Sequence, residues 1–302
     1  MKEATETPAV TRPSPRSDAG TGAHTAGQPL PGTKQSVPDL EEQVAYQRAF
    51  EAMVWAIPAM AIHRFRQGLY DIPGVEDNVV IAFSGTLKAR HEVITANTAV
   101  PYISAFLDLR KGPTVVDVPA ATDKASLYGQ VVDAWQVTIA GVGPSGPDKG
   151  AGGKYLFLPP GYEGAIPEGY FPIRSTSFRL ALAFRSVPGK GATQADAYAY
   201  TETLQVYPLA EAGNPQPTRF VDGLPLSIQT LPYYDIRALQ DIHDFVDVEP
   251  VQERDKVMVG MLATIGIEKG KPFNPPPKLR AAMERGVVDA YHYMQALTLK
   301  FL

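Results

Sequence analysis

Residues 141–146, which read GVGPSG, match the G-x-G-x-x-G pattern of dinucleotide-binding loops and follow a predicted strand. Such a site needs a helix directly afterwards, so that the amides at the helix N-terminus face the pyrophosphate. A proline and three glycines within residues 147–153 disfavour that helix. Lys154 precedes Tyr155, where a P-loop has serine or threonine. We therefore predict a flexible hairpin loop here rather than a phosphate cradle.

Histidines beside carboxylates are the next candidates for chemistry. Residues 241–244 read DIHD, but adjacent ligands rarely converge on one ion, so we predict a solvated helix start or loop and no metal site. His63 could act as a general base. It stands beside Arg64 and Arg66 at a predicted helix end, which favours a capping or solvent-facing role. His91 is predicted to open a strand.

Several other chemistries are absent from the sequence. The chain has no cysteine, which rules out disulfides, thiolate nucleophiles and cysteine-ligated metals. It has no G-x-S-x-G nucleophile elbow and no H-E-x-x-H zinc motif. A serine triad assembled from separated residues stays open as an alternative. We expect no cofactor from this set of residues.

Aromatic and polar residues in the predicted strands form the clearest candidate site. Mostly apolar walls with a few polar groups are typical of a small-molecule site. Four aromatic residues could line such a pocket, namely Tyr102, Trp135, Tyr155 and Phe171. The ligand-binding set that we predict is Asn97, Tyr102, Asp133, Trp135, Arg174 and Arg185. The alternative is a plain sandwich core with ion pairs at its rim.

A β-rich middle must position these residues. Gly 26 and Pro 28 among 302 residues predict many turns and short strands. Runs bounded by glycine and proline predict strands over residues 78–83, 102–109, 114–118, 128–139, 155–158 and 177–184. Because no regular helices intervene, the spacing favours an antiparallel β-sandwich-like core over a βαβ array.

Helices are predicted at both ends, where apolar residues recur every three or four positions. The first begins near Asp39 and ends near Gly68, with Pro58 expected to kink or split it. Further helices are predicted over residues 192–205, 251–265 and 278–302. The fold class is therefore α+β, with an antiparallel β-sandwich-like core and flanking N- and C-terminal helices.

Two regions are expected along the chain. Residues 1–37 contain no aromatic residue and are rich in Pro, Thr, Ser, Gly and Ala, which predicts a disordered tail. Residues 38–302 are expected to form the β-rich domain with its helical flanks. The apolar stripe of the last helix runs to the final residue without a capping signal. We therefore expect a truncation or a missing C-terminal domain there.

Charge and hydropathy limit which partners and which cellular compartment we expect for this protein. The net charge of -4 argues against a nucleic-acid partner, because such a partner needs a basic surface. The longest apolar run, residues 52–62, contains a proline and is too short to span a membrane. The N-terminus lacks the apolar segment of a secretory signal, so the cytoplasm is the default expectation.

Several segments, in their order along the chain, resemble one bacterial family. They are residues 46–52 with Trp55 and Pro58, then 97–102, 107–109, 112–119, 133–135, 155–156, 159–161, 173–175 and 184–185. This pattern resembles the domain of unknown function 1254 over about residues 40–302. The resemblance implies a β-sandwich-like domain with helical flanks, and a C-terminal domain of unknown function 1214 that is missing here.

The resemblance implies no particular reaction, and many relatives are exported. Many relatives also have the sequence N-x-D-T-x-Y where this chain has Asn97 to Tyr102. Ala99 and Val100 stand in the positions of the carboxylate and the hydroxyl. If that carboxylate were catalytic in relatives, this chain would lack it.

Three functional hypotheses follow. The first is a binding or scaffold module, which holds a small molecule or packs against a second domain. The second is a hydrolase-type enzyme, with Asp133, Arg174 or His63 in a sandwich or interdomain cleft. The third is self-association into a homo-oligomer through the stripe of residues 279–301. A concave pocket with a strongly shifted carboxylate or histidine would favour the enzyme, and apolar walls would favour the module.

Overall fold

Helices occupy both ends of the computed structural model, which describes residues 36–93 and 99–301. Within these residues there are five α-helices, α1 (Val37–Tyr70), α2 (Gln194–Thr201), α3 (Ile236–Val248), α4 (Lys256–Ala263) and α5 (Pro277–Phe301). The tail predicted over residues 1–37 falls almost wholly outside the described residues, and so does Asn97. Residues 41–301 belong to one compact unit.

Pro58 lies inside a single α1 and does not split it, contrary to one of the two outcomes expected for this residue. A proline in a helix interior removes one hydrogen bond and costs about 3 kcal/mol. Ala56 and Ala59 on either side are both 1% exposed, so the middle of α1 is held by packing against other elements. The packing of these residues outweighs the tendency of proline to break a helix.

Two predicted helices are shorter than expected. The segment 192–205 was predicted as one helix, but α2 ends at Thr201 and a strand begins at Gln205. The helix predicted from residue 251 begins at Lys256, after a short 3-10 turn. Thr193 accepts a hydrogen bond from the amide of Asp196, whose side chain in turn accepts one from the amide of Thr193. This capping box explains why α2 begins at Gln194.

The described part of the chain contains twelve strands in three sheets. The strands are β1 (Val80–Ala82), β2 (His91–Glu92), β3 (Tyr102–Asp108), β4 (Thr114–Val118), β5 (Ala125–Val132), β6 (Thr138–Val142), β7 (Gly153–Leu158), β8 (Tyr170–Arg174), β9 (Arg179–Pro188), β10 (Gln205–Pro208), β11 (Phe220–Asp222) and β12 (Ile228–Gln229). The six-stranded sheet has the order β11-β1-β3-β9-β5-β6. The other two sheets have the orders β10-β4-β7-β8 and β12-β2.

Most neighbouring strands are antiparallel. The parallel pairs are β1 with β11, β2 with β12 and β7 with β8. The described strands do not close into a barrel. The prediction of an α+β fold with an antiparallel-rich core and helices at both ends is confirmed, and His91 does open β2 as predicted.

The strand predicted over residues 128–139 is interrupted by a turn. Asp133 directly follows β5, and its carboxylate accepts the amide hydrogens of Trp135 and Val137, each at 2.9 Å. Gln136 has a φ of 65°, a conformation that suits a tight turn. These hydrogen bonds produce a hairpin between β5 and β6 where alternation alone predicted one long strand.

The glycine-rich loop after β6 is a loop as predicted. It contains a 3-10 turn at Gly143–Ser145 and leads into β7. The amide of Gly143 donates to Asp148 of the same loop at 2.9 Å. That carboxylate also accepts the hydroxyl of Tyr155 at 2.5 Å. The Gly143 amide therefore stabilises the loop itself, because its hydrogen is donated to a side chain of the same loop.

One hydrophobic cluster joins the two larger sheets. Alternate residues of β9, Leu180, Leu182 and Phe184, point into it, and all three are 0% exposed. Val116 of β4 and Phe157 of β7 belong to the same cluster. The residues between them on β9 must point to the opposite face of the six-stranded sheet, which we call the outer face.

A second cluster consists mainly of helices. Small residues of α1, such as Ala45 and Ala49, pack with Met283 and Val287 of α5. The first half of the apolar stripe of α5 is therefore buried against other helices. Phe301, at the other end of the stripe, is 77% exposed. Self-association through this helix stays a prediction. None of the helices in the described residues is long and apolar enough to cross a membrane.

Candidate functional site

A cavity of about 620 Å³ lies between α1 and the outer face of the six-stranded sheet. Its floor is the β3–β9 pair, where Ser104 stands opposite Ala183. Both residues line the cavity and face α1, because residues in direct register share a face of the sheet. Their short side chains leave space that larger residues would fill.

The C-terminal half of α1 covers this floor. Ala61, Ile62, Phe65 and Leu69 line the cavity, and helical spacing places them on one side of α1. The ring of Phe65 packs edge-on against Phe106 of β3, with centroids 5.4 Å apart. This aromatic contact fixes the helix above the sheet at one end of the cavity.

The side wall comes from the short β2–β12 pair and the chain before it. Phe83, Leu87 and Ile228 supply apolar surface there. His91 also lines this wall, but both ring nitrogens have backbone partners. Its Nδ1 accepts the amide hydrogen of Lys88 at 2.8 Å, and its Nε2 lies 3.2 Å from the carbonyl oxygen of Leu224. These contacts place the proton on Nε2, so His91 holds the wall together and has no free nitrogen to act as a base.

Arg185 lies at the other end of the cavity, which we call the polar end. Arg185 of β9 stands between Tyr102 of β3 and Tyr128 of β5 in the sheet register. Its guanidinium carbon lies 3.9 Å from the centre of the Tyr102 ring, a cation–π contact. Gln130 lines the cavity beside Ala183, two residues along the floor from Arg185, and Gln136 lines it from the turn beyond Val132, at the opposite end of β5. No aspartate or glutamate lines the cavity, as far as the described residues extend.

A separate group of charged residues is buried between α1 and α3. His63 is 5% exposed, so the prediction that it caps a helix or faces solvent was wrong. Residues 241–244 lie inside α3, with Asp241 8% exposed, so the predicted solvated helix start or loop was wrong as well. The Nε2 of His63 lies 3.6 Å from Oδ1 of Asp241. Burial brings each of them a partner from a distant element, which sequence neighbours could not predict.

Burial changes the pKa of both groups. Together with the positive charge of the nearby Arg179, it lowers the pKa of His63 to about 4. It raises the pKa of Asp241 to about 6, against the opposing effect of Arg64. Neither residue lines the cavity. In the part of the chain that the structure describes, no three histidine or acidic side chains converge as metal ligands.

The structure brings together two of the six predicted ligand-binding residues, Tyr102 and Arg185, at the polar end of the cavity. Asp133 is buried in the turn after β5. Arg174 is exposed on β8 and donates to the carbonyl oxygen of Tyr162 at 2.8 Å. Asn97 lies outside the described residues.

The remaining aromatic candidates pack in other parts of the domain. Trp135 lies between Trp55 of α1 and Phe245 of α3, with ring centroids 4.9 Å from each. It thus ties the β5–β6 turn to the helical cluster. Tyr155 is fully buried between the two larger sheets, where its ring packs against that of Phe171.

Sequence reasoning missed the residues that form the floor and the cover of the cavity. Ala183 and Ser104 carry no chemical signal, and only the register shows that they adjoin. One signal was present in β9, where Ala181 and Ala183 alternate with large apolar residues. Such small residues on one face indicate that another element approaches closely, or that space is left.

The structural role of Asp133 can be separated from binding. Replacing Asp133 by alanine removes the acceptor of two backbone amides, which should lower the free energy of unfolding by about 2 kcal/mol. Asparagine keeps one acceptor oxygen, so Asp133→Asn should lose clearly less. Urea unfolding of both variants tests this. Equal losses for the two variants, or none for alanine, would contradict the capping role.

Residues 78–208 match the family model described as "Protein of unknown function (DUF1254)". This segment runs through β1 to β10 and includes Tyr102, Ser104 and Arg185. The resemblance to the domain of unknown function 1254 is therefore confirmed over these residues. No curated protein matches the chain.

The chain is also similar to the VPA0106 protein from Vibrio parahaemolyticus, known from a crystal structure. The TM-score is 0.58 at 17% sequence identity, and the match covers 86% of this chain and 60% of that chain. The chain thus spans 60% of that longer protein. At this identity, the similarity shows the fold alone.

Proposed function

We propose that this domain binds a small, mainly apolar organic molecule in the cavity between α1 and the six-stranded sheet. The observation that carries the proposal is the space of about 620 Å³ above Ser104 and Ala183. Volumes of about 300–1,000 Å³ with mostly apolar walls are typical of small-molecule sites. The cavity walls include Phe65, Leu69 and Phe83, and the positive charge of Arg185 lies at one end.

The polar groups of the cavity favour binding over acid–base chemistry. A general base needs a free acceptor within reach of the substrate. Both nitrogens of His91 have backbone partners, and the hydroxyl of Thr230 donates to the carbonyl oxygen of Glu92 at 2.7 Å. The strongly shifted groups, His63 and Asp241, are buried elsewhere. This argues against the hydrolase hypothesis and supports the binding module.

A cavity-filling variant tests the proposal. N-phenyl-1-naphthylamine, a neutral dye whose fluorescence rises in apolar surroundings, should bind the full chain saturably. Ala183→Leu adds three carbons to the floor and should weaken dye binding by about tenfold or more, since each displaced methylene contact is worth about 0.8 kcal/mol. Direct titration of the dye measures this affinity.

The same substitution outside the cavity serves as the control for Ala183→Leu. Ala195 is exposed on α2, away from the cavity lining, so Ala195→Leu should bind the dye as the wild type does. Thermal unfolding should show that both variants are folded. If Ala183→Leu binds the dye unchanged, or if the wild type shows no saturable binding, the proposal is wrong.

A further inference from the structure

Among the residues that the structure describes, Arg185 has no acidic partner, although it stands at the edge of an apolar cavity. Its guanidinium contacts the ring of Tyr102, and it makes no ion pair or hydrogen bond with the residues at 36–93 and 99–301. The side chain is half-buried. By contrast, the half-buried Arg48 donates to Glu51 at 2.7 Å, and the buried Arg66 donates to Asp77 at 2.9 Å.

The sheet register holds this positive charge at one end of the cavity. Two-residue steps along β9 lead from Arg185 to Ala183 and then to Ala181 on the same face, about 7 Å a step. On β3 the opposite residues are Tyr102, Ser104 and Phe106. The floor is therefore charged at Arg185, lined by small side chains at Ala183 and Ser104, and apolar at Phe106.

The contact with Tyr102 orients Arg185 without using its donors. A guanidinium group has five N–H donors in one plane, and a cation–π contact occupies its face rather than its edge. Those donors can therefore meet two oxygens of a carboxylate in a bidentate arrangement. An ammonium or other cation would be repelled at this end of the cavity.

Gln130 adds a second donor two residues along the floor from Arg185. It stands opposite Ala183 in the β5–β9 register and lines the cavity. Its Oε1 accepts the hydroxyl of Thr138 at 2.6 Å, so its amide nitrogen is left to donate. Because no carboxylate is found among the described lining residues, this part of the cavity offers hydrogen-bond donors and a positive charge.

We infer that the ligand is an amphipathic organic anion, with its carboxylate paired to Arg185 and its apolar body between Ala183 and α1. This inference rests on the proposed binding function and specifies the ligand class of the same cavity. The charged head lies near Gln130, and the apolar body extends toward Phe65.

Three ligands that share a chain of eight carbons but differ in the charge of the head group test whether the cavity prefers an anion. Octanoate, 1-octanol and octyltrimethylammonium compete with N-phenyl-1-naphthylamine for the cavity of the full chain. Octanoate should bind about ten- to a hundredfold more tightly than 1-octanol, as expected for a hydrogen bond to a charged group. Octyltrimethylammonium should bind most weakly. Raising the salt concentration should reduce only the advantage of octanoate.

Arginine variants assign the effect to one side chain. In Arg185→Gln the ratio of octanoate to 1-octanol affinity should fall to near one, and Arg185→Lys should restore part of it because it keeps the charge without the planar fork. The matched control is Arg280→Gln on the exposed surface of α5, which should leave the ratio unchanged.

The outcomes separate this inference from the proposed function. If the dye binds and Ala183→Leu weakens it, but octanoate and 1-octanol compete equally in wild type and Arg185→Gln, the anion inference is overturned and the cavity function stands. If 1-octanol or the cation binds more tightly than octanoate, the inference is overturned as well. If neither the dye nor any of the three ligands binds, the proposed function itself fails.

Discussion

Replacing Gly68 by alanine should lower the free energy of unfolding by about 3 kcal/mol, although alanine is the better helix former. Gly68 lies where α1 passes over β12. A Cβ at this position would overlap the carbonyl oxygen of Gln229 and come within 2.8 Å of its carbonyl carbon. These are backbone atoms, so no side-chain rotation can relieve the overlap, and α1 must move away from the sheet.

The same substitution should also disturb the cavity. Leu69 follows Gly68 on α1 and Thr230 follows Gln229, and both line the cavity. A shift of α1 would change the spacing between its cover and its side wall. We therefore expect weaker dye binding as well as lower stability in Gly68→Ala.

A second glycine provides the control. Gly260 is exposed in α4, and a Cβ there would meet nothing within 4 Å. Gly260→Ala should raise stability by up to about 1 kcal/mol through helix propensity alone. Urea unfolding followed by tryptophan fluorescence reports both variants, because Trp55 and Trp135 pack against each other in the folded state. Similar changes in the two variants would refute the close-approach argument.

Replacing His63 by leucine should make the protein less sensitive to acid. Burial lowers the pKa of His63 to about 4 from 6.5, with a further contribution from Arg179. The unfolded chain therefore binds a proton between these pH values that the folded chain does not. Stability is full above about pH 6.5 and is lost as the pH falls toward about 4. At pH 4.5 the loss due to His63 amounts to about 2–3 kcal/mol.

Other charged groups around His63 contribute to the pH dependence in both proteins. The pKa of Asp241 is raised to about 6, so its carboxylate lowers stability as the pH rises from 3.8 through about 6. Arg64 and Arg66 on α1 and Asp244 on α3 also act on His63. Because these groups remain in His63→Leu, comparing that variant with the wild type isolates the contribution of His63.

The measurement is urea unfolding at pH 7.5 and at pH 4.5. The stability difference between His63→Leu and wild type should move by about 2–3 kcal/mol in favour of the variant at the lower pH. His292→Leu serves as the control because His292 is exposed on α5, and it should show no such change. Parallel pH curves for wild type and His63→Leu would show that the histidine does not titrate below its usual range.

Part of the candidate site could be predicted from the sequence alone. Tyr102 and Arg185 were singled out because aromatic and cationic residues in strands commonly form binding sites. The structure places them side by side through the β3–β9 register. Asp133 and Trp135 carried the same kind of signal but lie in a turn and in the helical cluster. Residue type does not distinguish a ligand contact from a structural contact.

Local pattern determined the elements of this protein: the β-rich middle, the helices at both ends and the glycine loop after β6. It could do so because alternation, helical spacing and glycine content act over a few neighbouring residues. Tertiary structure alone decided that Pro58 stays inside one helix, that His63 is buried against Asp241, and that a cavity opens over Ala183. Each of these depends on residues far apart in sequence meeting across the sheet and helices, where packing and burial outweigh local preference.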